Sequence, residues 1–159
     1  MSSVLFVCLG NICRSPTAEG VFRSTLRKAG LAETIRVDSA GTGAWHTGEP
    51  PDIRAQDAAS RRGYDLSAIR SRQVRGEDFF EFDYVLAMDW SNLQELRSLK
   101  PDDSSSVVSL FLDYAPTAPT DEVPDPYYGS GDGFETVLDL VEQASNGLLT
   151  ELRRSKELD

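Results

Sequence analysis

Val4-Leu5-Phe6-Val7-Cys8-Leu9-Gly10-Asn11-Ile12-Cys13-Arg14-Ser15-Pro16 decides how the chain folds. Val4–Val7 is a β-branched and aromatic run that reads as a buried strand. The segment from Pro16 to Lys28 reads as a helix, with Ser15 as its expected N-cap and Pro16 as its first residue. Between them lies a short loop that opens on Cys8 and closes on Arg14. Five residues between cysteine and arginine let the backbone curl so that successive N–H groups point inward around one tetrahedral anion. Gly10 is expected to supply a positive φ. A helix N-terminus adds its dipole and free N–H groups. Arg14 can offer two parallel N–H bonds to phosphate oxygens. The same donors would favour the thiolate of Cys8, the nucleophilic form, and the Ser15 hydroxyl could donate a further bond to it. By itself, a free cysteine ending a strand is a small buried hydrophobe; the strand–loop–helix setting and Arg14 favour chemistry. No Gly-Lys-Ser/Thr follows, so this is not the phosphate loop of a nucleotide hydrolase.

The rest of the chain alternates strands and helices. Lys28-Ala-Gly30 gives a basic last turn and a glycine stop. Ile35–Ser39 is a strand, and Asp52 caps a helix from Ile53 to about Arg62 that Gly63 closes. Ser71–Val74 reads as extended, and 77–82 as a short helix. Asp83–Ala87 is a strand of the buried parallel kind. Ser91–Leu99 is a helix and Val107–Phe111 a fourth strand. A long irregular segment, 113–133, follows, and loops of that length in compact domains are usually functional or disordered. From Phe134 to about Arg154, Val137, Leu138, Val141, Ala144, Leu148 and Leu152 fall at helical spacing on one face. The pattern predicts an α/β fold: a small doubly wound domain with a four-stranded parallel sheet flanked by helices on both faces. One domain covers 1–159. Ligands of such sheets bind beyond the carboxyl ends of the strands, where Cys8, Ser39 and Asp89 should face one rim.

Composition narrows the function. The 159 residues are 40% hydrophobic and 26% charged, with net charge −10. That surface repels nucleic acid on average, so no nucleic-acid partner is expected. No apolar run approaches the ~20 residues of a membrane span. Met1-Ser-Ser-Val4 has no basic segment ahead of an apolar one, so no signal peptide is expected. Two cysteines, Cys8 and Cys13, and one histidine, His46, do not suggest a disulfide framework or a zinc site. A reducing, cytoplasmic setting is expected. Cys13 reads either as a second thiol able to pair with Cys8 or as filler at the helix entry. His46 reads as structural, and Asp78, Glu81 and Asp83 as a solvated acidic patch. Asp125 sits between Pro124 and Pro126, which stiffen its backbone.

Val4–Glu19 closely resembles the signature of the low-molecular-weight protein tyrosine phosphatases. Further blocks match in order: Asp38–Gly43, Ala44–Asp52, Arg72-Gln73, Phe82–Asp89 and Asp125-Pro-Tyr-Tyr-Gly129. The resemblance implies a phosphotyrosine and aryl-phosphate hydrolase that works through a phosphocysteine intermediate without metal or cofactor. It implies Cys8 as nucleophile, Arg14 as phosphate clamp and Asp125 as general acid and then base. Leu9, Gly10, Asn11, Ile12, Cys13 and Ser15 would form the anion-binding loop, 8–15. Trp45, Tyr127 and Tyr128 would wall the cleft, the tyrosines and the acid coming from the loop 113–133. An aromatic slot suits a phenyl ring. Partners would be phosphotyrosine-containing proteins, and the chain a monomer or weak homodimer. Family members often carry a histidine shortly before the Arg-Gln pair that supports the loop asparagine. Ile69 stands there, so Asn11 would rest on Ser39, Glu19 or other groups, or Ile69 belongs to the core. An arsenate reductase of the same fold would need further thiols beyond Cys13, and there are none.

Overall fold

The computed structural model describes residues 2–127, 129 and 132–157. In chain order its elements are β1 (Ser2–Cys8), α1 (Arg14–Lys28), β2 (Ile35–Gly41), α2 (Ile53–Arg61), α3 (Asp78–Glu81), β3 (Tyr84–Ala87), α4 (Trp90–Leu99), β4 (Val107–Leu110), a 3₁₀ turn (Phe111–Tyr114) and α5 (Asp132–Glu157). The four strands form one parallel sheet in the order β2-β1-β3-β4. Central β1 is buried from Ser3 to Cys8, which explains why Val4–Val7 is apolar without alternation. Its side chains divide between two cores. Val4 and Phe6 face α1, α2 and α5, while Leu5 and Val7 face Phe79, Phe82, Leu93 and Leu96. Phe6 anchors the first core edge-to-face on Phe22 and Phe111, at 5.8 and 4.8 Å between centroids.

The helix ends follow their local chemistry. Asp52 caps α2 by accepting from the Arg54 N–H at 2.8 Å, and Asp89 caps α4 by accepting from Asn92 N–H at 2.8 Å. At the end of α1, Gly30 takes φ +74°, and Leu31 and Gly30 return N–H bonds to Leu26 and Arg27. The start of α1 differs from expectation. Helix begins at Arg14 after Cys13, which makes no side-chain cap, so Ser15 is not the N-cap. Its hydroxyl serves the loop instead. The acidic patch is also corrected at one position. Asp78 is fully buried and grips Arg72 with both oxygens at 3.0 Å while accepting from Arg75 N–H at 2.9 Å. The Arg72 cation, six residues away, and the Arg75 backbone N–H turn an expected surface carboxylate into an internal one. The segment 71–74 is extended and pairs with β2 through Gly41 and Gln73.

Gly147, mid-way along α5, lets that helix lie against the 3₁₀ turn. A Cβ there would sit 1.8 Å from the Tyr114 carbonyl oxygen. In a solvent-facing helix Gly→Ala gains about 1 kcal/mol. Here the backbone collision outweighs that gain, and Gly147→Ala should destabilise the fold by about 2 kcal/mol. Urea denaturation checks this: an unchanged or higher midpoint would show that the helix can move away.

Candidate active site

The loop leaves β1 at its carboxyl end and turns directly into α1, as the strand–helix juxtaposition requires. Its conformation is held from behind. Asn11 has φ +57°, and Gly10 has no positive φ. The left-handed residue is therefore the asparagine, which tolerates that region through local hydrogen bonding. Gly10 is glycine for space: a Cβ there would meet the His46 ring at 3.1 Å. The Asn11 amide is fully engaged. Nδ2 donates to Ser15 Oγ at 2.8 Å and Ser39 Oγ at 3.0 Å, and Oδ1 accepts from the Arg72 N–H at 3.0 Å. Ser39 in turn donates to Glu19 at 2.7 Å, and Glu19 accepts from Arg23 Nε at 2.9 Å. Burial pushes the Glu19 carboxyl up, against the pull of Ser39 and Arg23. Ile69 packs against the helix-side core, so Asn11 rests on Ser15, Ser39 and the Arg72 backbone. Arg72, held by Asp38 and Asp78, is a support that sequence reading left without a role; only its place in a matched block hinted at one.

Cys8 lies at the floor of the loop, 3% exposed. Its sulfur accepts from the Asn11 N–H at 3.3 Å and lies 3.0 Å from Ser15 Oγ. Because Ser15 Oγ already accepts from Asn11, its single proton is free to go to the sulfur or to the Ala40 carbonyl at 3.3 Å. The Asn11 N–H and the Ser15 hydroxyl thus both border the sulfur. Arg14 is buried beside it. Nη1 donates to Asp89 at 2.6 Å and to the Val123 carbonyl at 3.1 Å, and Nη2 lies 3.7 Å from Asp125. Burial works against the charge of Arg14, but Cys8, Asp89 and Asp125 outweigh it and hold the guanidinium above its ordinary range. Asp125 is partly exposed on the facing wall and accepts from the Tyr127 N–H at 3.0 Å.

Cys8, Leu9, Gly10, Ile12, Cys13, Arg14, Trp45, Asp125 and Tyr127 all line one cavity of about 330 Å³, together with His46. Asn11 and Ser15 lie behind the loop, 1% and 0% exposed. Tyr128 lies outside the described residues. Trp45 projects at the rim, 72% exposed. His46, read as structural, stands in the wall with Nδ1 2.5 Å from Glu49. Arg54 went unnoticed in the sequence. It bonds Asp52 through two nitrogens at 3.0 and 2.9 Å and covers the rings of Tyr127 and Phe134 at 5.3 and 5.0 Å. It thereby braces the Tyr127 wall against the start of α2, a pairing across the fold that no local pattern announces. Among the described residues no cluster of His, Cys, Asp or Glu is placed to hold a metal ion, and no helix is long and apolar enough to cross a membrane.

A strand-to-helix loop with a buried cysteine and arginine under a carboxylate is the arrangement expected of a site for a phosphoryl group. Comparison with known proteins agrees. The model of the low molecular weight phosphotyrosine protein phosphatase family matches residues 3–158. The low molecular weight protein-tyrosine-phosphatase YfkJ of Bacillus subtilis is 43% identical over 99% of this chain and 100% of its own length. The human low molecular weight phosphotyrosine protein phosphatase is 46% identical over 85% of each chain. Among solved structures, the protein tyrosine phosphatase of Entamoeba histolytica with Hepes in its active site superposes with a TM-score of 0.93 at 42% identity, covering 98% of this chain and 99% of that one. The chain belongs to the low-molecular-weight protein tyrosine phosphatase family and is an enzyme of that class.

Both cysteines are free thiols. Burial, and then the negative charges of Asp52, Cys8 and Asp125, push the Cys13 thiol up to about 12. A thiol reacts as its thiolate, so Cys13 should stay unreactive at neutral pH. Brief iodoacetamide treatment at pH 7, read by peptide mass spectrometry, should label Cys8 and leave Cys13 unmodified. Equal labelling would contradict the protonated, buried Cys13.

Proposed function

We propose that the whole chain, 1–159, is one phosphatase domain that hydrolyses phosphotyrosine in proteins through a phosphocysteine. The observation that carries this reading is that Cys8, Arg14 and Asp125 line one cavity although Asp125 is remote in sequence. The Cys8 thiolate attacks phosphorus in line with the ester oxygen. The phosphorus–oxygen bond breaks while Arg14 and the amides of 9–14 bind the equatorial oxygens, where charge accumulates. The proton of Asp125 passes to the departing phenolate. In the second half-reaction Asp125, now a carboxylate, takes a proton from water as that water attacks the phosphocysteine. Phosphate leaves and the thiolate is regenerated. Charge stabilisation by Arg14 and fixed N–H donors supports turnover without a metal ion or cofactor.

Ile12, Trp45 and Tyr127 in the cavity wall, with Tyr128 beyond the described residues, favour an aryl phosphate over a short aliphatic one. Asn11 and Ser15 belong to the anion site as supports, with Leu9, Gly10 and Cys13 supplying backbone. The acid is carried by the loop 113–133. The enzyme acts in the cytoplasm on phosphotyrosine proteins, with neither nucleic acid nor membrane as partner, as a monomer or weak homodimer.

Cys8→Ser should lower turnover of p-nitrophenyl phosphate on the order of 10³-fold or more while vanadate still binds. Asp125→Ala should cost about 10²-fold on phenyl phosphate and much less on 2,4-dinitrophenyl phosphate, whose leaving group needs no proton. Substantial turnover by Cys8→Ser would remove the covalent step. A uniform loss in Asp125→Ala would remove that residue as the acid. EDTA should leave the rate unchanged, and a rate that EDTA abolishes would put a metal in the reaction.

A further inference from the structure

The segment that carries Asp125 has few ties to the body of the protein, and several of them converge on the first turn of α4. Val123 is fully buried; its N–H donates to the Met88 carbonyl at 2.8 Å and its carbonyl accepts from Arg14. The two residues before it both hold Trp90. The Trp90 indole N–H donates to Asp121 at 3.1 Å, and the Trp90 backbone N–H donates to Glu122 at 2.9 Å. That backbone N–H is one of the donors a helix N-terminus leaves unpaired, and the helix dipole favours a carboxylate beside it. Trp90 itself is 45% exposed, so its ring is not there to fill the core. Its neighbour Asp89 caps the same helix and holds Arg14 at 2.6 Å. One helical turn thus grips the phosphate-binding arginine with one residue and the loop ahead of Asp125 with the next.

We infer that Trp90 is a positioning residue for Asp125: with Asp121 and Glu122 it forms a latch that sets how the acid meets the leaving oxygen. The inference rests on Asp125 being the general acid. Trp90, Asp121 and Glu122 are absent from the cavity wall and touch no reacting atom; they act through the two residues, Val123 and Pro124, that separate the latch from the acid. Opening the latch leaves Cys8, the loop amides and the Arg14–Asp89 pair in place. Phosphate binding and attack on esters that leave unaided should then survive, and only the proton-dependent step should suffer. A role in stability alone would lower the melting temperature without changing how the rate depends on the leaving group.

The variants are Trp90→Phe, which keeps a ring but loses the indole donor, Glu122→Ala, and their combination. Asp121→Ala deletes the acceptor from the loop side, whereas Asp121→Asn retains an oxygen for the indole N–H and should behave as the unmodified enzyme. In the double variant kcat/KM on phenyl phosphate should fall about five- to tenfold, a misplacement effect. On 2,4-dinitrophenyl phosphate it should change less than twofold, as should Ki for inorganic phosphate. Placed in an Asp125→Ala background, the latch variants should add no further loss on either ester. The latch is refuted by an equal fall on both esters, by no fall on either, by a matching rise in Ki, or by losses that multiply with that of Asp125→Ala. If Asp125→Ala alone fails to separate the two esters, the acid assignment itself is wrong and the latch goes with it. If Asp125→Ala separates them and the latch variants do not, only the latch is wrong.

Discussion

The ion pair between Arg14 and Asp89, 2.6 Å across and almost closed to solvent on the arginine side, is the constraint on which the site depends. A guanidinium taken out of water loses hydration that only good partners replace. Arg14 finds them in three places: the carboxylate that caps α4, the Val123 carbonyl, and the neighbourhood of Cys8 and Asp125. Apart from Cys8, the partners belong to two other segments: Asp89 ahead of α4, and the loop that carries both Val123 and Asp125. The arginine therefore fixes the end of the β1 loop to the end of β3 and to the acid-bearing segment at the same time. A parallel sheet brings these chain ends to one edge, and the buried charge makes their relative placement specific. The same residue that would bind phosphate is thus a structural centre.

A second constraint lies beneath the loop. Asn11 occupies a left-handed conformation that costs most residues about 1 kcal/mol or more, and its side chain makes three hydrogen bonds that hold it there. Those bonds reach β2 through Ser39 and the 71–74 segment through Arg72. The Arg72 side chain is in turn clamped by Asp38 and by Asp78, a carboxylate with no exposure. The loop is thus held from behind by a chain of polar groups that bond one another. Glu19 extends this chain: its raised carboxyl reflects burial, and Arg23 from the next turn of α1 supplies the balancing charge.

The fold was legible because its signals were local. Apolar runs marked β1 and β3, Asp52 and Gly30 marked helix ends, and period 3.6 marked α5; each lies where the sequence pattern placed it. The loop side of the cavity was legible because its chemistry depends on spacing along the chain, whereas Trp45, Asp125 and Tyr127 came only with the family resemblance. Three things were not. Ser15 resembles an N-cap from its neighbours alone, yet the loop recruits its hydroxyl and the helix starts two residues earlier than that cap implies. Gly10 looks like the residue that takes positive φ, but the side-chain partners of Asn11 come from positions 39 and 72, which no short window contains. Asp78 looks solvated until the fold delivers Arg72 to it. In each case a tertiary partner overrode a local preference. The same holds for Arg54, whose aromatic neighbours Tyr127 and Phe134 follow it by half the chain.

Depth turns this geometry into selectivity on the proposed reaction. The thiol of Cys8 is 3% exposed, whereas Leu9 is 44% and Trp45 72% exposed. The proposed nucleophile is thus at the floor and the hydrophobic surface at the rim. A phosphoryl group can reach the sulfur only at the end of an arm that clears the rim. On the proposed reading a phenyl ring would provide that length and pack on the aromatic groups Trp45 and Tyr127; a single methylene would leave the peptide backbone pressed against the walls. Ring burial then contributes binding energy remote from phosphorus, which holds the ester in line with the sulfur. On the proposed reading the net charge of −10 is no obstacle at this depth, because a substrate dianion would meet Arg14, the loop N–H groups and the start of α1 at close range, where local charges dominate over a screened surface. A general repulsion outside and a single attractive pocket inside would confine binding of phosphate esters to the site that can hydrolyse them.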